Sequence, residues 1–301
     1  MNSEITTIID REKCTGCGLC VTVCPDRTIT MREGVATVTG ESCFQCGHCL
    51  AVCPAGAVSV TAIAPDSLTF KSFELDPGWL PWGKFEPAGL VRLMASRRSC
   101  RNYLDKPVSH DLLLDLVKAG VTAPSGTNSQ KWTFTILERR RQVEELGGRI
   151  AEFFAKLNRL ATNPAARIFS RLFGGDALGR YYRNYYRTIE EGLREWREEG
   201  RDLLFHGAPA AIVVGSAPGA SCPAEDALLA SQNILLTAHA LGLGSCLIGF
   251  AVAAMERAPE LKDTLGIPSA EKVYAVIALG WPAENYQRLT GRKQPLVRFV
   301  D

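Results

Sequence analysis

Eight of the eleven cysteines lie between residues 14 and 53, and this clustering constrains the fold more than any other feature of the sequence. They form two runs with the same spacing, C-x2-C-x2-C-x3-C-P, which begin at Cys14 and Cys43. Such a dense set of thiols is used either for disulfides or for metal ligation, and disulfides need an oxidising compartment.

The first residues, MNSEITTIIDREK, lack the basic start and apolar core of a signal peptide. We therefore expect a cytoplasmic protein whose cysteines are reduced and ligate metal. Zinc usually takes its four ligands as two separated pairs, so a pair of zinc sites is the weaker alternative. Two-residue gaps let three thiolates from one tight loop converge on one face of a [4Fe–4S] cubane.

Residues 5–62 resemble a bacterial two-cluster ferredoxin on the strength of these two runs. In that family the fourth cysteine of each run ligates the cluster of the other run. The resemblance therefore implies one cluster on Cys14, Cys17, Cys20 and Cys53, and a second on Cys43, Cys46, Cys49 and Cys24.

The remainder of the chain alternates helical and strand patterns. A capped helix is predicted over 109–120, and an 18-residue helix over 224–241 is apolar on nearly every side, so we expect it to be buried in a core or at a subunit interface. Strands are predicted over 132–137, 210–215 and 273–280.

These elements predict an α+β fold in which a mainly antiparallel sheet is wrapped by helices. The predicted order is a ferredoxin domain over residues 1–62, a connecting arm with aromatic anchors over 63–90, and a second domain over 91–301.

Four segments of the second domain resemble the FMN-dependent nitroreductase family: 96–103, 123–132, 242–250, and 279–284 with 291–295. The resemblance implies a flavin held by Arg97, Arg98, Ser99, Arg101, Pro124, Ser125, Gly126, Asn128, Gln130, Ile248, Gly249, Arg292 and Lys293. Guanidinium groups pair bidentately with a phosphate, although three arginines within five residues also suit a solvated face.

The family pattern also implies specific roles for these segments. Ser125 and Gly126 act across a homodimer interface, Ile248 and Gly249 lie beside the reactive nitrogen of the flavin, and Arg292 and Lys293 return to the phosphate. Family members usually carry proline where this chain has Lys131, so this turn is expected to open differently.

Residues 148–206 are helical in pattern and form the variable cover of the active site in this family. Their tyrosines at 181–186 either stack on an aromatic substrate or pack on the body of the protein.

Together the two resemblances imply an oxidoreductase that carries two [4Fe–4S] clusters and FMN. Electrons from an external low-potential donor, such as ferredoxin, would enter the clusters, reduce FMN and leave as hydride to a small nitroaromatic, quinone or activated alkene. An electron-transfer module between proteins and a flavin dehydrogenase running in the opposite direction are the alternatives.

Other partners are not expected. The net charge of +2 gives no case for nucleic acid or an anionic membrane, and no apolar run reaches the roughly 18 residues that span a bilayer. No G-x-G-x-x-G follows a strand, so no separate nicotinamide-binding Rossmann domain is predicted.

Overall fold

The computed structural model describes residues 4–300. The chain divides into two compact units, of which the first comprises Met1–Pro77, Pro124–Gln130 and Ala220–Cys222. The second comprises Gly78–Ala123, Lys131–Gly219 and Pro223–Asp301. Two short segments of the predicted flavin domain therefore group with the cysteine-rich part of the chain.

The first unit contains two small antiparallel sheets and two short helices. Strand β1 (Thr7–Ile9) pairs with β4 (Val58–Val60), and β2 (Ile29–Arg32) pairs with β3 (Val35–Val38). Helices α1 (Leu19–Thr22) and α2 (His48–Val52) each follow a glycine in the left-handed conformation. These glycines, Gly18 and Gly47, let both cysteine runs turn sharply into their helices.

A four-stranded antiparallel sheet forms the centre of the second unit. Its strands are β5 (Trp132–Leu137), β6 (Ala210–Ser216), β7 (Gly244–Leu247) and β8 (Lys272–Gly280), in the spatial order β5-β6-β8-β7. Side chains alternate between its faces, so Ile212 and Val214 join one buried cluster while Ala211 and Val213 join the other. The antiparallel sheet and its helices confirm the predicted α+β fold.

Helices cover both faces of this sheet. Helix α4 (His110–Gly120) and α9 (Pro223–Ala240) pack on one face. Helices α5 (Arg140–Thr162), α8 (Tyr186–Glu199) and α10 (Gly249–Arg257) contribute to the core on the other. The remaining helices are α3 (Pro87–Ser96), α6 (Pro164–Phe173), α7 (Ala177–Asn184) and α11 (Glu260–Asp263).

Two of the predicted helices, α4 and α9, can be compared directly with what their sequences indicate. The Ser109 hydroxyl accepts a hydrogen bond from the backbone N–H of Leu112, which caps α4 as its sequence indicates. Helix α9 buries Ile234 and Leu235, but Leu228 and Leu229 are 49% and 45% exposed. The chain itself therefore covers only part of this apolar helix.

The predicted arm over residues 63–90 is irregular as far as Glu86, whose carboxylate caps α3. Two of its aromatic residues stay open to solvent, since Trp79 and Trp82 are 71% and 88% exposed, whereas Phe70 and Phe73 stack on each other with ring centroids 4.4 Å apart. Among residues 4–300, no helix combines the length and the apolar character needed to cross a bilayer.

Candidate functional site

The eight clustered cysteines surround two small cavities in the first unit. One cavity is lined by Cys14, Cys17, Cys20 and Cys53, and the other by Cys24, Cys43, Cys46 and Cys49. The fourth cysteine of each run thus lies with the first three of the other run, which is the grouping that the ferredoxin resemblance implies. Among residues 4–300, no group of three or more His, Cys, Asp or Glu side chains is arranged to bind a single metal ion.

Backbone N–H groups point at several of these sulfur atoms. Thr28 N lies 3.3 Å from Cys24 Sγ, and Ala57 N lies 3.3 Å from Cys53 Sγ, four residues after the cysteine in each run. The N–H of Ala36 donates to Cys14 Sγ at 3.5 Å and, with a second backbone N–H, lowers the pKa of that thiol. Donors of this kind stabilise thiolate ligands, so the two quartets fit iron–sulfur clusters.

A cationic segment of the second unit is joined to the edge of the central sheet. Ser99 forms an isolated bridge with Ser245, and the N–H of Cys100 donates to Ser245 O at 3.0 Å. Among the described residues, the buried Oγ of Ser245 has no hydrogen-bond partner. The adjoining cavity of about 400 Å³ is lined by Arg97 and Arg98 as well as Ser245. Guanidinium groups beside this buried hydroxyl suit the phosphate end of FMN.

Ile248 and Gly249 lie where β7 passes into α10. Ile248 is buried and its N–H donates to Val276 O at 2.8 Å, which ties it to the neighbouring strand β8. A Cβ built on Gly249 would meet nothing within 4 Å, so this backbone borders open space. Since Ile248 uses its own N–H to bind Val276 O, the predicted contact with the flavin falls to the N–H groups at the start of α10, where a helix leaves them without intrahelical partners.

This open space is a cavity of about 1310 Å³ within the second unit. Ile248, Gly249 and Arg101 lie on its wall together with Phe154 and Phe250. The Phe250 ring makes an edge contact with the Phe154 ring, with a centroid separation of 5.6 Å. Three arginines also line it (Arg101, Arg180 and Arg257), and an aromatic wall with these cations suits a flat, electron-poor molecule.

His206 also lines this cavity and was not predicted from the sequence. Its backbone has a φ of 58°, which is unusual for a residue with a side chain. The buried Asp202 carboxylate fixes the turn by accepting from the N–H groups of Phe205 and Gly207 at 2.8 and 3.3 Å, and it pairs with Arg140 at 2.9 Å. The only sequence signal was a lone histidine just before a strand.

Burial and the nearby Arg101 lower the pKa of His206. The neutral ring is therefore favoured, with Arg101 on the same cavity wall.

The tyrosines at 181–186 divide between the two predicted roles. Tyr181 and Tyr185 line the large cavity, and the Tyr181 hydroxyl donates to Oδ1 of the buried Asn158. Tyr182 and Tyr186 instead pack against each other with ring centroids 5.0 Å apart. Helical spacing alone could not separate these two faces.

The predicted flavin-binding loop Pro124–Gln130 belongs to the first unit. Within it, Asn128 uses its amide to donate to the backbone carbonyl of Phe44 at 2.9 Å, in the second cysteine run. The hydroxyl of Ser125 accepts from the N–H of Gln130 at 3.1 Å. Gly126 leaves no room for a side chain, because an added Cβ would lie 2.9 Å from Cys222 Sγ.

Arg292 and Lys293 lie in the irregular, exposed stretch that follows β8. The guanidinium of Arg292 donates to the carbonyl of Gly291 at 3.2 Å. Arg98 reaches this stretch by donating to the carbonyl and hydroxyl of Thr290. The structure thus brings Thr290 to an arginine of the predicted phosphate site, while the phosphate roles of Arg292 and Lys293 stay predictions.

Comparison with known proteins agrees with both resemblances. Residues 94–281 match the nitroreductase family, and residues 6–54 match a 4Fe–4S dicluster domain. The first match covers more than half of the chain. The predicted fusion of a ferredoxin-type part with a nitroreductase-type part is confirmed.

Relatives and solved structures match the second part. A nitrobenzene nitroreductase from Ectopseudomonas oleovorans is 28% identical over 208 residues, which is 64% of this chain and 86% of that protein. The structure of an FMN-bound nitroreductase from Bacteroides fragilis covers 70% of this chain and 98% of its own, with 24% identity and a TM-score of 0.52. An FMN-bound nitroreductase from Desulfitobacterium hafniense covers 69% and 97%, with 25% identity and a TM-score of 0.50.

Proposed function

The chain belongs to the nitroreductase family, and from that premise we propose that it is an iron–sulfur flavoprotein that reduces a small organic acceptor with electrons supplied through its cysteine-bound clusters. The observation that carries the proposal is the presence, in one chain, of two cysteine quartets and a nitroreductase fold with a large cavity beside Ile248 and Gly249.

The cofactors are two [4Fe–4S] clusters and FMN, in agreement with the dicluster and nitroreductase matches and the FMN-bound neighbours. Iron–sulfur clusters carry single electrons and flavin exchanges one or two, so together they convert between the two kinds of redox chemistry. The two quartets would each hold one cluster. Arg97, Arg98 and Ser99 would hold the FMN phosphate, and the loop at Ile248–Gly249 would contact its ring.

The large cavity favours an enzyme over a module that only relays electrons between proteins. Its wall combines Phe154, Phe250 and Tyr185 with three arginines, one of which is Arg101, and these groups suit an aromatic acceptor that develops negative charge. His206 shares the wall and carries a ring that can exchange a proton with the acceptor. The aromatic side chains of this wall favour a flat acceptor such as a nitroaromatic or quinone.

We also propose a homodimer in the cytoplasm. Exposed apolar side chains support self-association. Phe299 and Val300 are 90% and 96% exposed, and Val91 on α3 is 61% exposed. Measurement of the mass in solution tests the dimer.

Anaerobic turnover tests the proposed function. Reduced ferredoxin, or a reduced viologen as a simpler one-electron donor, would be mixed with the holoprotein and a panel of nitroaromatics, quinones and activated alkenes. Consumption of one acceptor class is the expected result. Ala253→Phe places a larger side chain on the cavity wall and should slow this consumption. Flavin that reoxidises only through an added protein would favour the relay, and reduction of the clusters by an organic substrate would favour the reverse direction.

A further inference from the structure

The two cysteine quartets are not equivalent in their surroundings. In the quartet of Cys24, Cys43, Cys46 and Cys49, Phe44 follows Cys43 directly, and its carbonyl accepts the hydrogen bond from Asn128 at 2.9 Å. In the other quartet, Cys17 is exposed. One quartet is therefore tied to the predicted flavin loop, and the other has an open edge.

The loop that carries Asn128 is held in an unusual conformation. Thr127, Asn128 and Gln130 have φ values of 52°, 54° and 48°, in the left-handed region that favours glycine. Such a conformation persists only when its surroundings determine it, and residues in it are frequent at functional sites.

Hydrogen bonds at Thr127 and at Asn128 itself supply this constraint. The Thr127 hydroxyl lies 2.7 Å from the Ser221 hydroxyl, and the N–H of Asn128 donates to Ser125 O at 2.9 Å. Both partners belong to the same compact unit as the cysteine runs. The backbone of Asn128 is thus fixed, and its side-chain amide donates to the second cysteine run.

We propose that Asn128 is a positioning residue that holds the flavin-binding loop on the second cysteine run, so that electrons reach the flavin from the cluster of Cys24, Cys43, Cys46 and Cys49. The cluster of the quartet with the exposed Cys17 then accepts electrons from the external donor. Each transfer moves one electron: a reduced cluster loses it, the flavin gains it, and a low-potential one-electron reductant restores the cluster. This inference rests on the proposed function and adds the order of the path.

Asn128→Asp tests the role of the amide, because aspartate keeps the shape but replaces the donor NH₂ with an acceptor. Asn233→Asp is the matched control, since the Asn233 amide donates to the hydroxyl of Thr122 at 3.1 Å in the other unit. The holoproteins would be mixed anaerobically with reduced methyl viologen in a stopped-flow instrument. Cluster reduction would be followed by freeze-quench electron paramagnetic resonance, and flavin reduction by absorbance.

The expected result for Asn128→Asp is flavin reduction at least about fivefold slower, with unchanged cluster reduction and unchanged iron and sulfide content. Asn233→Asp should match the unmodified protein. Equal rates in Asn128→Asp and the unmodified protein would overturn the inference. Clusters that never reduce the flavin in the unmodified protein would instead overturn the proposed function.

Hydrogen exchange gives a second readout that does not depend on flavin content. Loss of the Asn128 bond should speed amide exchange in the peptides covering 43–45 and 124–130 and leave the peptide covering 14–16 unchanged. Unchanged exchange at 43–45 would also overturn the inference, even if the variant bound less flavin.

Discussion

Cys24 and Cys53 are exchanged between the two quartets, because each lies with the first three cysteines of the other run. Each sulfur accepts a hydrogen bond from the backbone N–H four residues later, at 3.3 Å in both cases. The equivalence of the two runs in sequence is thus kept in three dimensions, and the two runs depend on each other for a complete ligand set.

This exchange predicts which thiols are released when one ligand is removed. In Cys53→Ala the cluster of the first run should be lost, so that Cys14, Cys17 and Cys20 react with iodoacetamide while Cys43, Cys46 and Cys49 stay protected. Iron content should fall from about eight towards about four per chain. Mass spectrometry of the alkylated peptides is the measurement.

Cys24→Ala is the matched control for this experiment, since it should expose the three thiols of the second run and protect those of the first. Alkylation of Cys43, Cys46 and Cys49 in Cys53→Ala would contradict the exchanged ligation.

Gly126→Ala should lower the thermal stability of the protein. The new Cβ would lie 2.9 Å from Cys222 Sγ and 3.0 Å from Cys222 Cβ, so the two segments must move apart. Overpacking of this kind costs about 1–3 kcal/mol in the free energy of unfolding. Thermal unfolding followed by circular dichroism measures the effect.

Gly148→Ala is the control, because the same change in the interior of α5 meets no atom within 4 Å. It should stabilise the protein by about 0.5–1 kcal/mol, since alanine favours a helix. Equal destabilisation by both substitutions would argue against the close approach of Gly126 and Cys222.

The sequence was sufficient for those features that depend on local pattern. The cysteine spacing, the Ser109 cap and the alternation that places Ile212 and Ala211 on opposite faces of the sheet are all consequences of short-range chemistry. The contact of Asn128 with Phe44 could not be predicted in this way, because it joins residues far apart in the chain. Its acceptor is a backbone carbonyl, which every residue has, so the residue type at position 44 does not indicate it. The role of His206 was not predicted either, since its position on the cavity wall depends on a turn that the Asp202 carboxylate stabilises.

The pKa of His206 provides a test of the cavity wall. Burial and Arg101 lower this pKa from the ordinary value of 6.5, so the unfolded chain binds a proton at a higher pH than the folded chain does. The neutral ring therefore contributes stability above about pH 6.5, and this contribution is lost as the pH falls through that value towards the lowered pKa.

Arg101→Gln should raise the pKa of His206, because a positive charge near the ring is removed. The pKa of His239, which burial and Arg97 lower, should not change. The chain has four histidines, so NMR titration of the ring protons, with His206→Gln to assign the signal, can follow each one. Equal shifts of His206 and His239 would show that the effect is not local to the cavity.

The phosphate site can be separated from the rest of the flavin site by comparing FMN with riboflavin, which lacks the phosphate. Arg97 lines the cavity that contains the buried Ser245 hydroxyl, and a charge-assisted hydrogen bond to phosphate is worth about 1.5–3 kcal/mol. Arg97→Gln should therefore weaken FMN binding by about ten- to a hundredfold and leave riboflavin binding nearly unchanged. Flavin fluorescence during titration of the flavin-free protein measures both affinities. Arg194→Gln removes an exposed charge on α8 and should alter neither. If Arg97→Gln weakened both ligands equally, the arginine would act on the fold or on the ring, and the phosphate assignment would be wrong.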